Sequence, residues 1–181
     1  MNRFIVADAA SCIGCHVCEI ACVTAHHQDV WPQQRRHFLP RIHIVFHRNE
    51  SRAATCHHCN DAPCVTSCPT QALYLANDSI QLQQAQCIGC KNCVIACPFG
   101  AIEMTSVAAD APQLAQKCDL CSEHASGQQA CVAACPKHLI DLVPYKAKHL
   151  VQCSSHDRGP AVKAACQVGC IGCTLCTKQC K

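Results

Sequence analysis

Cysteine is the residue type whose number and spacing most clearly indicate chemistry, with 22 cysteines in a chain of 181 residues. The most regular run begins at Cys87 and has the spacing C-x2-C-x2-C-x3-C-P. Three thiolates so closely spaced can bind three irons of one [4Fe-4S] cube from a single loop, and the fourth thiolate lies too far along to close that cube comfortably. In proteins with two such cubes it binds the other one, so the run predicts a cubane cluster and a partner motif.

Three further runs vary this spacing, so the chain contains four cysteine motifs. The first motif has Val23 where a proline is typical, the second has four residues in its middle gap, and the fourth has a nine-residue polar loop, 122–130. In chain order the motifs are Cys12, Cys15, Cys18 and Cys22; Cys56, Cys59, Cys64 and Cys68; Cys87, Cys90, Cys93 and Cys97; and Cys118, Cys121, Cys131 and Cys135.

Zinc is the main alternative metal, because C-x2-C pairs also build structural zinc sites. Zinc motifs usually bring cysteines in twos, whereas three of these motifs end in C-x3-C-P and two have the unbroken C-x2-C-x2-C-x3-C spacing. The pattern therefore favours iron–sulfur clusters.

The first residues and the hydropathy of the chain predict a cytoplasmic protein. Residues 1–8 lack a charged region followed by an apolar core and a cleavage site, and Arg35-Arg36 lies too deep for a twin-arginine leader. Disulfides are rare in the cytoplasm, so metal binding is favoured over a disulfide framework. No apolar run approaches the 18 residues of a spanning helix, so contact with a membrane would require a partner subunit.

Composition limits the remaining function classes. Aromatic residues make up only 4% of the chain, so bound clusters are expected to supply much of the folding free energy, and the apo-protein is expected to be largely unfolded. The formal charge of +3 omits the clusters, and no basic patch with stacking aromatics indicates nucleic-acid binding. Phosphate loops, GxGxxG and paired catalytic acids are absent, so we expect no enzyme activity of its own.

Short apolar segments between the motifs predict a loop-rich chain of small elements. A helix is expected over 19–24, Gly14 permits a tight turn between thiolates, and Trp31 is interpreted as a packing residue. Strands are predicted over 4–7, 42–46, 72–75, 79–82 and 101–104.

Residues 1–145 resemble a known family on the basis of their motif order, their unequal middle gaps and two quoted segments. Residues 1–5 run into Cys-Ile-Gly-Cys at 12–15, and residues 56–64 read Cys-His-His-Cys-Asn-Asp-Ala-Pro-Cys. The likeness is to four-cluster ferredoxin-type electron-transfer subunits of molybdenum or tungsten oxidoreductases. It extends to the small iron–sulfur proteins associated with formate dehydrogenase and formate hydrogenlyase.

This resemblance implies an α+β fold of two interleaved bacterial two-[4Fe-4S] ferredoxin-like modules, in which motif one pairs with motif four and motif two with motif three. The four-cluster domain would span 1–145, with an outer module of about 1–48 and 104–145 and an inner module of about 49–103. A cysteine-rich extension would occupy 146–181.

The resemblance also implies which cysteines share a cube, because the fourth cysteine of each motif is exchanged with its partner motif. The four expected sets are Cys12, Cys15, Cys18 and Cys135; Cys118, Cys121, Cys131 and Cys22; Cys56, Cys59, Cys64 and Cys97; and Cys87, Cys90, Cys93 and Cys68.

The function implied is electron transfer, with single electrons relayed between an oxidoreductase and a redox partner. The expected partners are a catalytic molybdopterin subunit, above all that of formate dehydrogenase, and a second redox protein such as a hydrogenase. The alternative is a free polyferredoxin, or an assembly factor that matures such an enzyme.

The last segment, 146–181, contains six more cysteines and resembles part of the B subunit of Rnf-type electron-transport complexes. Six thiols amount to one cube and two spare ligands, so a fifth cluster on Cys170, Cys173 and Cys176 is one interpretation, closed by Cys153, Cys166 or Cys180. The alternative is a metal-free tail or one completed by another chain. About 20 irons per chain would support five clusters and about 16 would support four.

Histidines also occur within the motifs, at His16 and at His57-His58. Histidine binds iron in Rieske centres, but here the cysteine sets are already complete. We therefore expect these histidines to lie near the clusters, at the surface or behind the ligands, rather than on iron.

Overall fold

The computed structural model describes residues 1–28, 30–48, 50–106, 108, 110–124, 126–147, 159–166 and 171. The chain divides into two compact units, Met1–Tyr145 and Lys146–Lys181. In the second unit the described residues form one helix, α5 (Gly159–Ala165). All other described elements belong to the first unit.

Among the described residues of the first unit, eight short strands form four separate antiparallel pairs, β1 with β8, β2 with β3, β4 with β5, and β6 with β7. Sheets of only two strands are marginal by themselves, so their stability depends on what they pack against. The strands are β1 (Arg3–Ala7), β2 (Ile42–His47), β3 (Glu50–Thr55), β4 (Leu73–Ala76), β5 (Ser79–Leu82), β6 (Glu103–Thr105), β7 (Leu114–Gln116) and β8 (Ile140–Pro144).

Each of the four cysteine motifs contains one short helix: α1 (Val17–Ala25), α2 (Pro63–Thr66), α3 (Asn92–Ala96) and α4 (Ala130–Ala134). Single 3₁₀ turns occupy Arg35–His37 and Gln84–Gln86. The longest described helix, α1, has nine residues, and no helix in the described ranges is long and apolar enough to cross a membrane.

The first core joins the two ends of the first unit. Strand β1 pairs with β8, so that Ile5 lies opposite Leu142, and α1 packs against α4. Aliphatic side chains from four separate segments meet there: Ile5, Ile42, Leu120 and Ile140. Five buried cysteines complete this core: Cys18, Cys22, Cys56, Cys118 and Cys131.

The second core lies under the motifs in the middle of the chain, where α2 packs against α3. Leu73 of β4 and Ile80 of β5 are almost fully buried, and Ile102 and Ala115 cover them from the β6–β7 region. Among the described residues, neither core contains a phenylalanine, tyrosine or tryptophan. Cysteine therefore takes the space that aromatic rings usually fill.

The strand predictions differ from the structure mainly where strands pair across loops. Strand β5 occupies the predicted residues, and β2 extends one residue further than predicted. The strand predicted over 101–104 lies instead at Glu103–Thr105, because pairing with β7 sets its register. Strands β3, β7 and β8 were not predicted, since their alternation is too short or too polar to stand out in the sequence.

The expected module boundaries near residues 48 and 103 both fall at hairpins. Strands β2 and β3 pair across the first boundary, and Ala53 of β3 packs against the first core. The second boundary falls at the first residue of β6, which pairs with β7, and Ala115 of β7 lies in the second core.

Candidate metal centres

The loops of motifs one and three carry their cysteines on the same backbone conformation. Gly14 and His16 have φ of 65° and 60°, and Gly89 and Lys91 have φ of 70° and 66°. Alternate residues with positive φ turn the chain sharply immediately before α1 and α3. At Gly89 a side chain would also collide, because a Cβ atom there would lie 2.6 Å from the Gln113 carbonyl oxygen. The predicted tight turn at Gly14 is confirmed.

Four cysteines from the two ends of the first unit surround one cavity of about 410 Å³, counting the open space at its mouth. Its wall is completed by apolar side chains such as Ile44 and Ile140. The four, called the Cys12 group, are Cys12, Cys15, Cys18 and Cys135.

A second cavity, of about 320 Å³ on the same measure, lies between motifs two and three. Leu73, Met104 and Ala115 form part of its wall, so it opens directly off the second core. Its four cysteines, called the Cys87 group, are Cys68, Cys87, Cys90 and Cys93.

A third set of thiols is found where α1 meets α4. Burial, together with the neighbouring thiols of Cys118 and Cys121, raises the pKa of Cys22 to about 12. Burial also raises the pKa of Cys131, with Cys118, Cys22 and Cys121 as its closest thiol neighbours. The set, called the Cys118 group, is Cys22, Cys118, Cys121 and Cys131.

The fourth set belongs to motifs two and three. Burial raises the pKa of Cys56, with added effects from Cys64 and Cys97. The pKa of Cys64 is raised in the same way, with Cys97 and Cys59 as its neighbours. The set, called the Cys56 group, is Cys56, Cys59, Cys64 and Cys97.

The donors in these groups fit iron–sulfur clusters. Each group offers four soft sulfur donors, the set that a [4Fe-4S] cube requires. Thiolates are the binding form, and burial opposes their formation: together with the nearby Glu19 carboxylate, it raises the pKa of Cys18 to about 11. A bound cationic metal offsets this effect, so ligand deprotonation and metal binding are coupled.

Backbone N–H groups of described residues donate to several of these sulfurs. Such bonds stabilise thiolates and raise the reduction potential of a bound cluster. The donors lie 3.3–3.5 Å from sulfur: Arg41 to Cys22, His58 to Cys56, Ala101 to Cys97, Ala115 to Cys87, Leu120 to Cys118, and Leu139 to Cys135.

A polar network supports the Cys118 group from behind. The Arg41 guanidinium donates to Asp119 Oδ2 at 2.5 Å, and His26 Nε2 lies 3.0 Å from Asp119 Oδ1. Burial alone would raise the pKa of Asp119, but His26 and Arg41 together hold it well below its usual range. Possible ligand atoms of His26, Asp119 and Cys121 lie within 4.8 Å of one another. The network therefore fixes the loop that carries Cys118 and Cys121.

Two buried polar residues lie beside the sulfur ligands: Lys117, which the sequence reasoning missed, and His58, which was expected near the clusters but not fully buried. His58 is fully buried, and its Nδ1 accepts the Ile80 N–H at 3.0 Å, so its proton is on Nε2. Burial, with a contribution from Lys117, lowers the pKa of His58 to about 3, so the ring stays neutral. Nε2 has no hydrogen-bond partner in the described part of the chain. Spacing shows only that His58 adjoins a ligand; it gives no sign of this burial.

The other two motif histidines lie nearer to solvent. His16 is exposed and its Nδ1 lies 2.7 Å from Glu19, while the ring of His57 stacks on Phe99 with centroids 3.9 Å apart. Trp31, interpreted as a packing residue, packs against Phe38 but is half exposed.

Exposure divides the four groups into two kinds. In the Cys12 group Cys15 is exposed, and in the Cys87 group Cys90 is exposed. In the other two groups no cysteine is exposed: six are buried, and Cys59 and Cys97 are intermediate. Thiols that can face an external partner are therefore found in only two of the four groups.

The six cysteines of the C-terminal extension are described only in part. Cys166 directly follows α5 and is exposed. The other candidates for a fifth cluster lie outside the described residues: Cys153, Cys170, Cys173, Cys176 and Cys180. The fifth cluster stays a prediction.

Comparison with known proteins identifies the family. The model of the 4Fe-4S dicluster domain matches residues 49–145. The electron transport protein HydN of Escherichia coli (strain K12) is 45% identical over 154 residues, which cover 77% of this chain and 87% of HydN. Formate hydrogenlyase subunit 2 of the same organism is 38% identical, over 79% of this chain and 82% of that protein.

Some relatives are much longer than this chain. UacF of Escherichia coli (strain K12) is 48% identical over 91% of this chain, but the match covers 25% of UacF. The chain thus spans about a quarter of the length of that relative. Because only about 9% of the chain is left unmatched, the similarity continues into the extension after residue 145.

These matches confirm two sequence predictions, the cubane chemistry of the cysteine motifs and the likeness to iron–sulfur proteins associated with formate hydrogenlyase. The Rnf likeness of the extension stays a prediction. The fold is that of a loop-rich, ferredoxin-like 4Fe-4S protein with small sheets and short helices, and the chain belongs to the family of 4Fe-4S dicluster-domain proteins.

Proposed function

We propose that this protein is a non-catalytic electron relay that binds four [4Fe-4S] clusters, one in each of the Cys12, Cys118, Cys56 and Cys87 groups. When bound, such clusters supply one-electron oxidation and reduction. The observation that carries the proposal is the meeting of sixteen thiols in fours, each four combining three cysteines of one motif with the last cysteine of its partner motif.

Neighbouring cysteines support one linear order of the groups. Cys18 of the Cys12 group is near enough to raise the pKa of Cys131, and Cys56 is near enough to raise that of Cys118. Cys64 and Cys93 share the second core. The order is therefore Cys12 group, Cys118 group, Cys56 group, Cys87 group, with the exposed Cys15 and Cys90 in the two end groups.

The same contacts support two interleaved modules, each with its own core. We propose that the outer module consists of the residues around β1, α1, α4 and β8, and that the inner one is built around α2 and α3. The hairpins suggest boundaries that differ slightly from the expected ones, with β3 in the outer module and β7 in the inner one.

For partners, we propose a molybdenum or tungsten oxidoreductase, with formate dehydrogenase first, and a second redox protein such as a hydrogenase. Two relatives support this choice by their names, the electron transport protein HydN and formate hydrogenlyase subunit 2. A cytoplasmic location is part of the same proposal. A free polyferredoxin or an assembly factor is the second candidate, favoured by the location of all sixteen motif cysteines within one compact unit.

Co-purification tests this function. The tagged, cluster-loaded chain is isolated anaerobically from its native host and its partners are identified, and formate is then added to the complex. The relay predicts a molybdenum- or tungsten-containing large subunit and formate-dependent bleaching of the cluster absorbance. An assembly factor would instead restore partner activity even as Cys90→Ala, and its clusters would not respond to formate.

A further inference from the structure

Lys117 is the one lysine or arginine that is buried among the described residues, with 3% of its surface exposed. It follows β7 and precedes Cys118. Its Nζ donates hydrogen bonds to two backbone carbonyl oxygens, those of Ile80 on β5 and of Cys118. These bonds fix the ammonium group but do not neutralise its charge.

No carboxylate in the described part of the chain forms an ion pair with Lys117. The acid nearest in sequence, Asp119, is engaged by Arg41 and His26. A buried charge without an opposite charge is strongly destabilising, so proteins retain one only where something else compensates it. Lys117 therefore needs negative charge from another source.

The thiols around Lys117 belong to two different groups. Lys117 directly precedes Cys118 of the Cys118 group and donates to its carbonyl, and Cys118 shares the first core with Cys56 of the Cys56 group. The ammonium group opposes the rise in thiol pKa that burial causes at Cys56, Cys64 and Cys118. These are the two middle groups of the linear order. A cube with four thiolates is a net anion that gains one more negative charge on reduction. The ammonium group of Lys117 is thus placed where its positive charge can act on both middle clusters.

We propose that Lys117 is a fixed positive charge between the two middle clusters that raises both of their reduction potentials relative to the end clusters. This inference rests on the proposed function. A cation held in a low-dielectric interior stabilises an added electron nearby more than it would in water. With the middle clusters easier to reduce, an electron entering at Cys15 or Cys90 would be drawn into the interior.

The test compares two neutral variants with a charge-retaining one. Lys117→Gln keeps hydrogen-bond donors for the Ile80 and Cys118 carbonyls but removes the charge, and Lys117→Met removes both. Lys117→Arg keeps the charge. The control is Arg35→Met, which removes one positive charge from an exposed position. Cluster potentials are measured by anaerobic redox titration followed by EPR, after iron analysis has shown that each variant is fully loaded.

In both neutral variants we expect the equilibrium constant for reduction of each of the two middle clusters to fall by at least tenfold. This corresponds to a reduction potential lower by about 59 mV for one electron, and the two end clusters should be unchanged. Lys117→Arg and Arg35→Met should leave all four near native values. Unchanged potentials in both neutral variants would overturn the proposal. A shift in Lys117→Met with native potentials in Lys117→Gln would also overturn it, because that pattern indicates a hydrogen-bonding role.

Whether the Lys117 variants assemble their clusters also tests the proposal. If neither neutral variant assembles its clusters but Lys117→Arg does, the charge is required and the proposal stands. If Lys117→Arg fails as well, the role is packing and the proposal is wrong. Failure of the relay function would appear differently, as a native protein that lacks four reducible clusters before any substitution is made.

Discussion

The two end groups and the two middle groups offer the same four-sulfur ligand sets in different surroundings. The Cys12 and Cys87 groups line cavities with an exposed cysteine and an exposed isoleucine beside it, Ile13 or Ile88. The Cys118 and Cys56 groups lie inside, next to the buried Lys117 and His58. Ligand chemistry alone therefore does not distinguish the four sites; exposure and buried charge do.

This difference has a physical consequence for a relay. Solvent exposure and local charge are two of the main determinants of cluster potential. End sites that reach the surface can exchange electrons with partners, whereas inner sites are protected from water and from unwanted oxidants. Substitutions at the two kinds of site should therefore differ in their effects.

The largest expected effect comes from removing one ligand in each kind of site. Cys90→Ala should cost one end cluster, about four irons, and leave the first core folded. Cys131→Ala should cost more than one cluster, because Cys131 is part of the first core that joins β1, α1 and α4. Iron content and soluble yield measure both. Equal losses in the two variants would contradict the division.

The exchange of fourth ligands can be tested by combining substitutions. Cys64→Ser with Cys97→Ser should lose no more iron than either alone, because both thiols belong to the Cys56 group. Cys87→Ser with Cys97→Ser should lose about eight irons, since two clusters are affected. Iron analysis of the three single and two double variants measures these losses. The reverse pattern would mean that each motif closes its own cube.

Substitution of Gly89 tests whether the loop of an end site can accept a side chain. Gly89→Ala should destabilise by about 2–5 kcal/mol, because the residue must keep a positive φ and its Cβ would meet the Gln113 carbonyl. Gly100 is the matched control, with φ of 60° and no atom within 4 Å of a Cβ. Gly100→Ala should cost only about 1–2 kcal/mol.

Guanidinium unfolding under anaerobic conditions, followed by the visible absorbance of the clusters, measures both glycine variants. Equal midpoints for Gly89→Ala and Gly100→Ala would show that the contact with Gln113 is unimportant.

The smallest expected effect is at the polar support of a middle site. Asp119→Asn should cost about 1–3 kcal/mol, because the Arg41 guanidinium, 21% exposed in its side chain, loses its carboxylate partner. Asp141→Asn, at an exposed position on β8, is the control and should change stability little. The same unfolding assay applies. If the control were as damaging as Asp119→Asn, the network would have no special role.

Spacing in the sequence predicted the chemistry well because cluster ligands are set locally. Three thiolates of each motif lie within one loop, and glycine marks the turn, as at Gly14. The approximate positions of β1, β2, β4 and β5 also followed from short apolar runs. The ligand sets themselves came from the family resemblance, and they stay a prediction until the cysteine doubles are measured.

What the sequence did not predict depends on contacts between distant segments. Lys117 looks like any surface lysine before a cysteine, and its burial arises only because β5 brings the Ile80 carbonyl to it. His58 is buried because its ring accepts the Ile80 N–H and Asn2 holds its carbonyl from the other end of the unit. Such burial depends on which distant segments of the chain come into contact, and this cannot be predicted from residue type.

Native mass spectrometry of the anaerobically purified full chain shows directly whether sixteen cysteines hold four cubes. We expect about 16 irons with an equal number of sulfides, or about 20 of each if the extension binds a fifth cube. A loaded protein with about eight irons, or one that carries zinc instead, would contradict this expectation.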